Sequence, residues 1–353
     1  MLASQRVAPL CVVATCVVIV FLYVTSVKSY SFYQVSSVES KCSDNTALTP
    51  VRIHVNDQDG SPRDLFYLSP SCTKRPRGLM VLLHGCGRRS ASFFYSPEGR
   101  IIVRAASRVK KYAVLAVAKR EDTGCWDMAE ADAVAFHIQT IRSDRGLQHV
   151  PLFGFGASSG GGMIGALTSH IPFCAVNIQI SPLKNDLGVV SGGVIYTWMK
   201  KDASMLKFSE VMKPVLESSG KIGRLATLVI ETPKIGKSYF SDKIEGVSPS
   251  SSEIFYKALG KAGRIDFVLN ELKGNPRDGN GWLTGWDGVV PTHAEWLTAK
   301  ELQDAKQIGI LEELNVLANL HEITGEQFET KVLAFMENMR KRCGENVPSA
   351  KHP

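Results

Sequence analysis

Apolar and polar positions divide the chain into regions with different periods. Residues 7–27 carry no charge and run apolar through Val12, Val13, Val17, Val18, Ile19, Val20, Phe21, Leu22 and Val24. That is long enough to cross a bilayer as a helix. Arg6 precedes the stretch and Lys28 follows it. Segment 1–28 is therefore expected to be a signal-anchor, or a signal peptide cleaved near Val24 and Ser26. Residues 29–50 are polar and Ser-rich and read as a stalk.

From residue 51 the period changes. Residues 51–55 alternate apolar and polar, Asp59-Gly60 makes a turn, and 65–68 returns, which predicts an antiparallel pair. Short apolar runs follow at 78–83, 112–118, 150–155, 173–180, 193–199 and 225–230. Each is short for a helix and apolar enough for a strand buried on both faces. Between them, 128–142 carries Ala131, Val134, Ala135, Ile138 and Ile141 on one helical face, and 204–218 is similar with Pro214 inside. Strand and helix in alternation predict right-handed crossovers and an α/β fold: a central, mostly parallel sheet flanked by helices.

Residues 236–300 break that rhythm with Gly, Pro and Ser clusters, a helix near 252–262, and Trp282, Trp286 and Trp296. They read as a cap inserted between the core at 51–235 and its completion at 301–345. A last helix is expected over 324–340, with Phe328, Val332, Leu333, Phe335 and Met336 buried.

Composition narrows the class. The chain has 353 residues, 44% of them hydrophobic and 21% charged, with a net charge of +7. These values exclude a disordered chain, a collagen and a coiled coil. A mean hydropathy of −0.02 excludes a polytopic membrane protein. The cations are spread along the chain, and the densest run, Arg340-Lys341-Arg342, reads as a solvated helix end, so no nucleic-acid partner is expected. Of eight Cys, Cys11 and Cys16 lie in the apolar stretch and six follow it. An even count behind a targeting segment suggests disulfides. Cys42–Cys72 and Cys86–Cys125 are the expected pairs, with buried free thiols as the alternative. No metal-ligand spacing and no Asn-x-Ser/Thr site occur. The expected location is the secretory pathway, either as a single-pass membrane protein with a lumenal or extracellular domain or, if segment 1–28 is cleaved, as a secreted one.

The chemistry concentrates in Val150-Pro151-Leu152-Phe153-Gly154-Phe155-Gly156-Ala157-Ser158-Ser159-Gly160. Gly154, Gly156 and Gly160 form a degenerate dinucleotide loop. That reading needs a first strand and an acid about 20 residues on, and neither is present. Gly156, Ser158 and Gly160 form G-x-S-x-G, a strand-to-helix turn that exposes a strained Ser and tolerates only small neighbours. Ser158 is the candidate nucleophile; Ser159 is its decoy. A hydroxyl needs a base. His321, in the loop before the last helix, is preferred among eight His, and His293 is the rival. His54 and His137 read as structural. The acid that orients the base should follow a later strand at the same sheet edge. Asp202 fits, although it also reads as a helix N-cap; Glu231 is weaker, and Asp242 and Asp287 lie in the cap. His84-Gly85-Cys86-Gly87, after an early strand, can bring the Cys86 amide to one oxygen together with the Ser159 amide.

Taken together, His84-Gly85-Cys86-Gly87, Gly156-Ala157-Ser158-Ser159-Gly160, Asp202 and His321, in the order Ser, Asp, His, resemble the α/β-hydrolase superfamily over residues 50–340. His84-Gly85-Cys86 with Cys125-Trp126 is also faintly similar to secreted polyester depolymerases and feruloyl-esterase-like enzymes. The resemblance implies a central, mostly parallel sheet, a Ser nucleophile, no cofactor, and an ester substrate of small-molecule, lipid or carbohydrate type. Two features depart from it. Asp202 and His321 lie far apart in the chain, a gap largely filled by 236–300, and Lys200-Lys201 puts cations beside the acid. These keep an inactive binding protein of the same fold open as an alternative, and a peptidase of the same fold is a third reading.

Overall fold

The computed structural model describes residues 48–70, 75–120, 124–182, 187–278, 282 and 309–345. The chain divides into two compact units, 1–36 and 37–353, and the described residues fall in the second. The proposed span at 7–27 and the stalk to residue 47 lie outside the described residues; among these no helix is long and apolar enough to cross a membrane.

The core is one eight-stranded sheet in the order β1-β2-β4-β3-β5-β6-β7-β8. Its strands are β1 Val51–Asn56, β2 Pro62–Leu68, β3 Leu79–Leu83, β4 Ala113–Val117, β5 Leu152–Ala157, β6 Phe173–Gln179, β7 Val190–Met199 and β8 Leu225–Ile230. β1 and β2 form the expected antiparallel pair, with Ile53 opposite Leu65. β2 runs antiparallel to β4, and every pairing from β4 to β8 is parallel. β3, β4, β5 and β6 are buried at every position, as continuous apolar runs require when helices cover both faces. β8, at the edge, is half exposed. This strand order, antiparallel at one edge and parallel thereafter, is that of the α/β-hydrolase fold.

The helices follow the sequence pattern with local shifts. Met128–Glu130 is a 3₁₀ turn that leads into Ala131–Asp144. The cap helix is Pro249–Lys261, which starts earlier than its apolar period because the Ser248 side chain accepts from the Ser251 amide and Pro249 suits the first turn. The last helix, expected from 324, begins later. Gln327 takes a left-handed φ of 58°, a π-helical turn spans Phe328–Val332, and the α-helix runs Leu333–Glu345. Thr324 and Gly325 are held by side chains from other elements instead.

The described part of 236–300 has a core of its own. Phe240, Phe255, Leu259, Ile265 and Leu272 pack with Trp282 and with Ile310, Leu314 and Leu317 of the helical stretch 309–317. Trp282 is part of this core, under the Arg264 guanidinium at 4.3 Å from its ring. Trp286 and Trp296 lie outside the described residues, so the far boundary of the cap does too.

Two disulfides are present among the described residues. Cys86–Cys125 is the expected pair, and Cys174–Cys343 ties β6 to the last helix. Cys42 and Cys72 lie outside the described residues.

Candidate active site

The turn after β5 explains the glycines around Ser158. Ser158 sits at φ 52° and ψ −122°, a conformation that costs strain in any residue with a Cβ. The backbone can close there only because its neighbours lack side chains. A Cβ at Gly156 would lie 2.2 Å from the Gly160 carbonyl oxygen, and one at Gly160 would lie 2.4 Å from the carbonyls of Leu83 and His84. Gly154, counted in the degenerate dinucleotide loop, is inside β5 and not in the turn. The Ser158 amide donates to the Gln179 carbonyl at 2.9 Å, and the helix Ser159–Leu167 starts at the next residue.

His321 reaches this turn from the other end of the chain. Its Nε2 lies 2.9 Å from Ser158 Oγ and its Nδ1 lies 2.8 Å from Asp202 Oδ2. An ionised carboxylate can only accept, so Nδ1 carries the hydrogen and Nε2 keeps a lone pair toward the Ser158 hydroxyl. The loop that carries His321 is anchored by residues the sequence pattern did not single out. Gln179 at the end of β6 clamps Thr324 through both amide atoms, at 3.0 and 3.1 Å. Buried Glu98 accepts from the Thr324 hydroxyl at 3.2 Å and from the Gly325 amide. Both are polar residues at buried positions, a signal that becomes informative only once burial is known.

Asp202 does two jobs with two oxygens. Oδ1 accepts from the Met205 amide at 3.2 Å, capping the helix Ala203–Ser218, and from Ser204 Oγ at 2.5 Å. Oδ2 is left for His321. The N-cap and the His partner, competing readings of the sequence, are thus the same carboxylate. Burial pushes the Asp202 pKa up, but the hydrogen bonds from His321, Ser204 and Met205 overrule it and hold it below the usual carboxylate value. Lys200 and Lys201 turn to other partners: Lys200 bridges Glu231 at 2.7 Å and Lys201 bridges Glu271 at 2.9 Å. Glu231 is thereby occupied, and Asp242 accepts from Ser238 at 2.8 Å. His293 and Asp287 lie outside the described residues.

Ser158 and His321 open on a cavity of about 450 Å³ lined also by His84, Gly85, Cys86, Arg88, Ile180, Arg277, Glu312 and Glu322. His84 is buried, with Nδ1 2.8 Å from the Gly85 carbonyl, and its own carbonyl accepts from the Trp126 indole at 2.8 Å. The 84–87 turn is thus fixed by Trp126 and by the Cys86–Cys125 bond, with Cys86 on the cavity wall. The Ser159 amide is at the first helical position, where no intrahelical acceptor exists. At the far wall Arg88 bridges Glu322 at 2.9 Å and approaches Glu312 at 4.0 Å. Burial, reinforced by the charges of Glu322 and Glu98, pushes Glu312 up to about 8. Glu322 is pushed up by burial as well, but Arg88 overrules this and keeps it ionised. No cluster of three or more His, Cys, Asp or Glu able to hold a metal occurs among the described residues.

No protein-family model matches the chain, and no curated protein does. Solved structures overlap it in part. An α/β serine hydrolase from Xanthomonas campestris is 13% identical over 52% of this chain and 84% of its own, at a TM-score of 0.40. A carboxylesterase from Mesorhizobium loti is 16% identical over 59% and 98%, at 0.41. A poly(3-hydroxybutyrate) depolymerase from Bordetella parapertussis is 16% identical over 62% and 92%, at 0.38. The fold rests on the strand order and the turn at Ser158, not on these overlaps.

Proposed function

We propose that the chain is a serine hydrolase that cleaves carboxylic esters through an acyl-enzyme. The observation that carries this reading is the unbroken hydrogen-bonded line from Ser158 Oγ through His321 to Asp202, beside a cavity and on a strained turn. In the reaction His321 Nε2 takes the Ser158 proton as Oγ attacks the ester carbonyl. The negative charge that moves to the carbonyl oxygen is met by the amides of Cys86 and Ser159. Asp202 holds the imidazole and stabilises the imidazolium. The intermediate collapses, His321 returns its proton to the departing alcohol, and water, deprotonated by His321, then releases the acid.

Esters are preferred to amides because, among the described residues, nothing lining the cavity specifies a peptide pocket. The solved structures that overlap this chain include an esterase and a polyester depolymerase, which fits a small-molecule, lipid or carbohydrate ester substrate. The disulfides and the apolar stretch at 7–27 support a place in the secretory pathway, membrane-anchored or secreted.

The test pairs a fluorophosphonate probe with a panel of acyl esters of graded chain length. Labelling at Ser158 and a turnover that falls roughly 10⁴-fold or more in Ser158→Ala are expected. No labelling identifies a binding protein of this fold, and amide turnover exceeding ester turnover identifies a peptidase.

A further inference from the structure

The cap carries a feature that hydrolysis does not use. Its hairpin, Ile265–Asp266 paired with Glu271–Leu272, turns through Phe267, Val268 and Leu269, which are 59%, 91% and 54% exposed. Three consecutive large apolar side chains at a tip are costly in water and mark a contact surface. The turn is rigid. Asp266 Oδ1 accepts from the amides of Val268 and Leu269 at 3.0 and 3.1 Å, and the Asn270 carbonyl accepts from Ile235 at 2.8 Å. Phe267 is braced edge-on against Tyr256, with ring centroids 6.2 Å apart. Ile265 and Leu272, at the base, are buried.

Charge surrounds this tip with one sign in excess. Asp266 is bridged by Lys273, Glu271 by both Lys201 and Lys234, and Glu253 by both Lys237 and Lys257. Lys257 and Lys261 share a helical face with Ile254, which is 64% exposed. The acids are thus neutralised, two of them twice, and positive charge remains around an apolar point.

We propose that this hairpin tip docks on an anionic lipid bilayer, with Phe267, Val268 and Leu269 entering the headgroup boundary and the lysines facing the lipid phosphates and carboxylates. The pairing of exposed apolar side chains with flanking cations is what an interfacial segment needs. The amides of Val268 and Leu269 at the tip are already taken by Asp266, which lowers the cost of carrying them into a water-poor boundary. The hairpin is joined through Lys201 to the chain just beyond β7, the sheet edge that also presents Ser158 and His321, so docking brings that edge toward the membrane. The inference does not depend on the role of Ser158.

The test places an environment-sensitive nitrobenzoxadiazole probe on the full-length Val268→Cys chain and subtracts the signal of the identically treated parent. On phosphatidylserine–phosphatidylcholine vesicles the probe brightens several-fold and is quenched by bilayer spin labels. Lys257→Glu with Lys261→Glu weakens the insertion read by the probe at residue 268 about tenfold or more. A probe at Val211→Cys, 63% exposed on the outer face of Ala203–Ser218, stays unchanged. An unresponsive probe at 268, an equal response at 211, or an equal response on pure phosphatidylcholine overturns the proposal. So does a response that rises with protein concentration without lipid, which identifies a second copy as the partner. The readout is depth at residue 268, not turnover, so its failure is separate from failure of the hydrolase reading.

Discussion

Among the described residues four histidines lie within 2.8 Å of an aspartate, and in two of these pairs, His321–Asp202 and His137–Asp57, the carboxylate is buried. His321 meets Asp202 at 2.8 Å, and His137 meets Asp57 at 2.7 Å. Their surroundings differ in every other respect. The His321 side chain is 34% exposed, its second nitrogen faces Ser158, and a cavity opens beside it. The His137 side chain is 1% exposed, its Nδ1 has no hydrogen-bond partner, and Asp57 is also gripped by Arg63 at 3.0 and 2.8 Å. A His–Asp pair is therefore not a site by itself. It becomes one when a hydroxyl and a space for substrate stand on the far side of the ring. Without them the same pair is a buried polar network, and its expected currency is stability.

The largest effect expected from this contrast is at Asp202. Asp202→Asn keeps an N-cap for the helix but fixes the wrong tautomer, so kcat for ester hydrolysis falls about 10⁴-fold with little loss of thermal stability. Steady-state kinetics beside a melting curve check it. A comparable loss from a change at Asp57 would erase the distinction.

Asp57→Ala has the opposite profile. It leaves the fully buried Arg63 guanidinium with Glu130 as its remaining carboxylate partner and costs up to about 3 kcal/mol of unfolding free energy, while kcat per folded molecule stays near the parent value. Denaturant titration with active-site counting separates the two quantities.

The two regions also answer pH in opposite directions. Burial pushes Asp57 up, but Arg63 and His137 overrule it and hold it at about 2, below its ordinary 3.8. Its stabilisation is present above pH 3.8 and is lost as pH falls toward 2. Glu312, on the cavity wall, is raised from 4.5 to about 8. Between those values the folded state holds a proton that the unfolded chain has released, so stability falls as pH rises. Glu312→Gln should flatten that decline, as denaturant midpoints measured from about pH 5 to 8 will register.

The smallest effect is at Ser204, whose hydroxyl donates to Asp202 at 2.5 Å. Ser204→Ala removes one support of the carboxylate, worth about 1 kcal/mol, and lowers kcat severalfold. No change at all would show that the Met205 amide alone holds the acid in place.

The chain's own pattern carried the sheet a long way. Continuous apolar runs become buried parallel strands because both faces are covered, and the glycines at 156 and 160 mark the turn because no Cβ fits there. Ser158, Asp202 and His321 were legible as residue types at strand and helix ends. Gln179 and Glu98 were not, because a polar residue becomes informative only when its burial and its partner are known, and their partners lie 145 and 227 positions away. The pairing of Cys174 with Cys343 was hidden for the same reason.

Sequence alone determined the local conformations: which runs extend, which coil, and which turn excludes side chains. Those depend on neighbours a few residues apart. Tertiary structure decided which imidazole faces Ser158, that one carboxylate caps a helix and holds a ring at once, and that Lys200 and Lys201 are drawn to other acids. Each of these is set by distances between groups far apart in the chain, and only the packed sheet and its crossovers determine those distances.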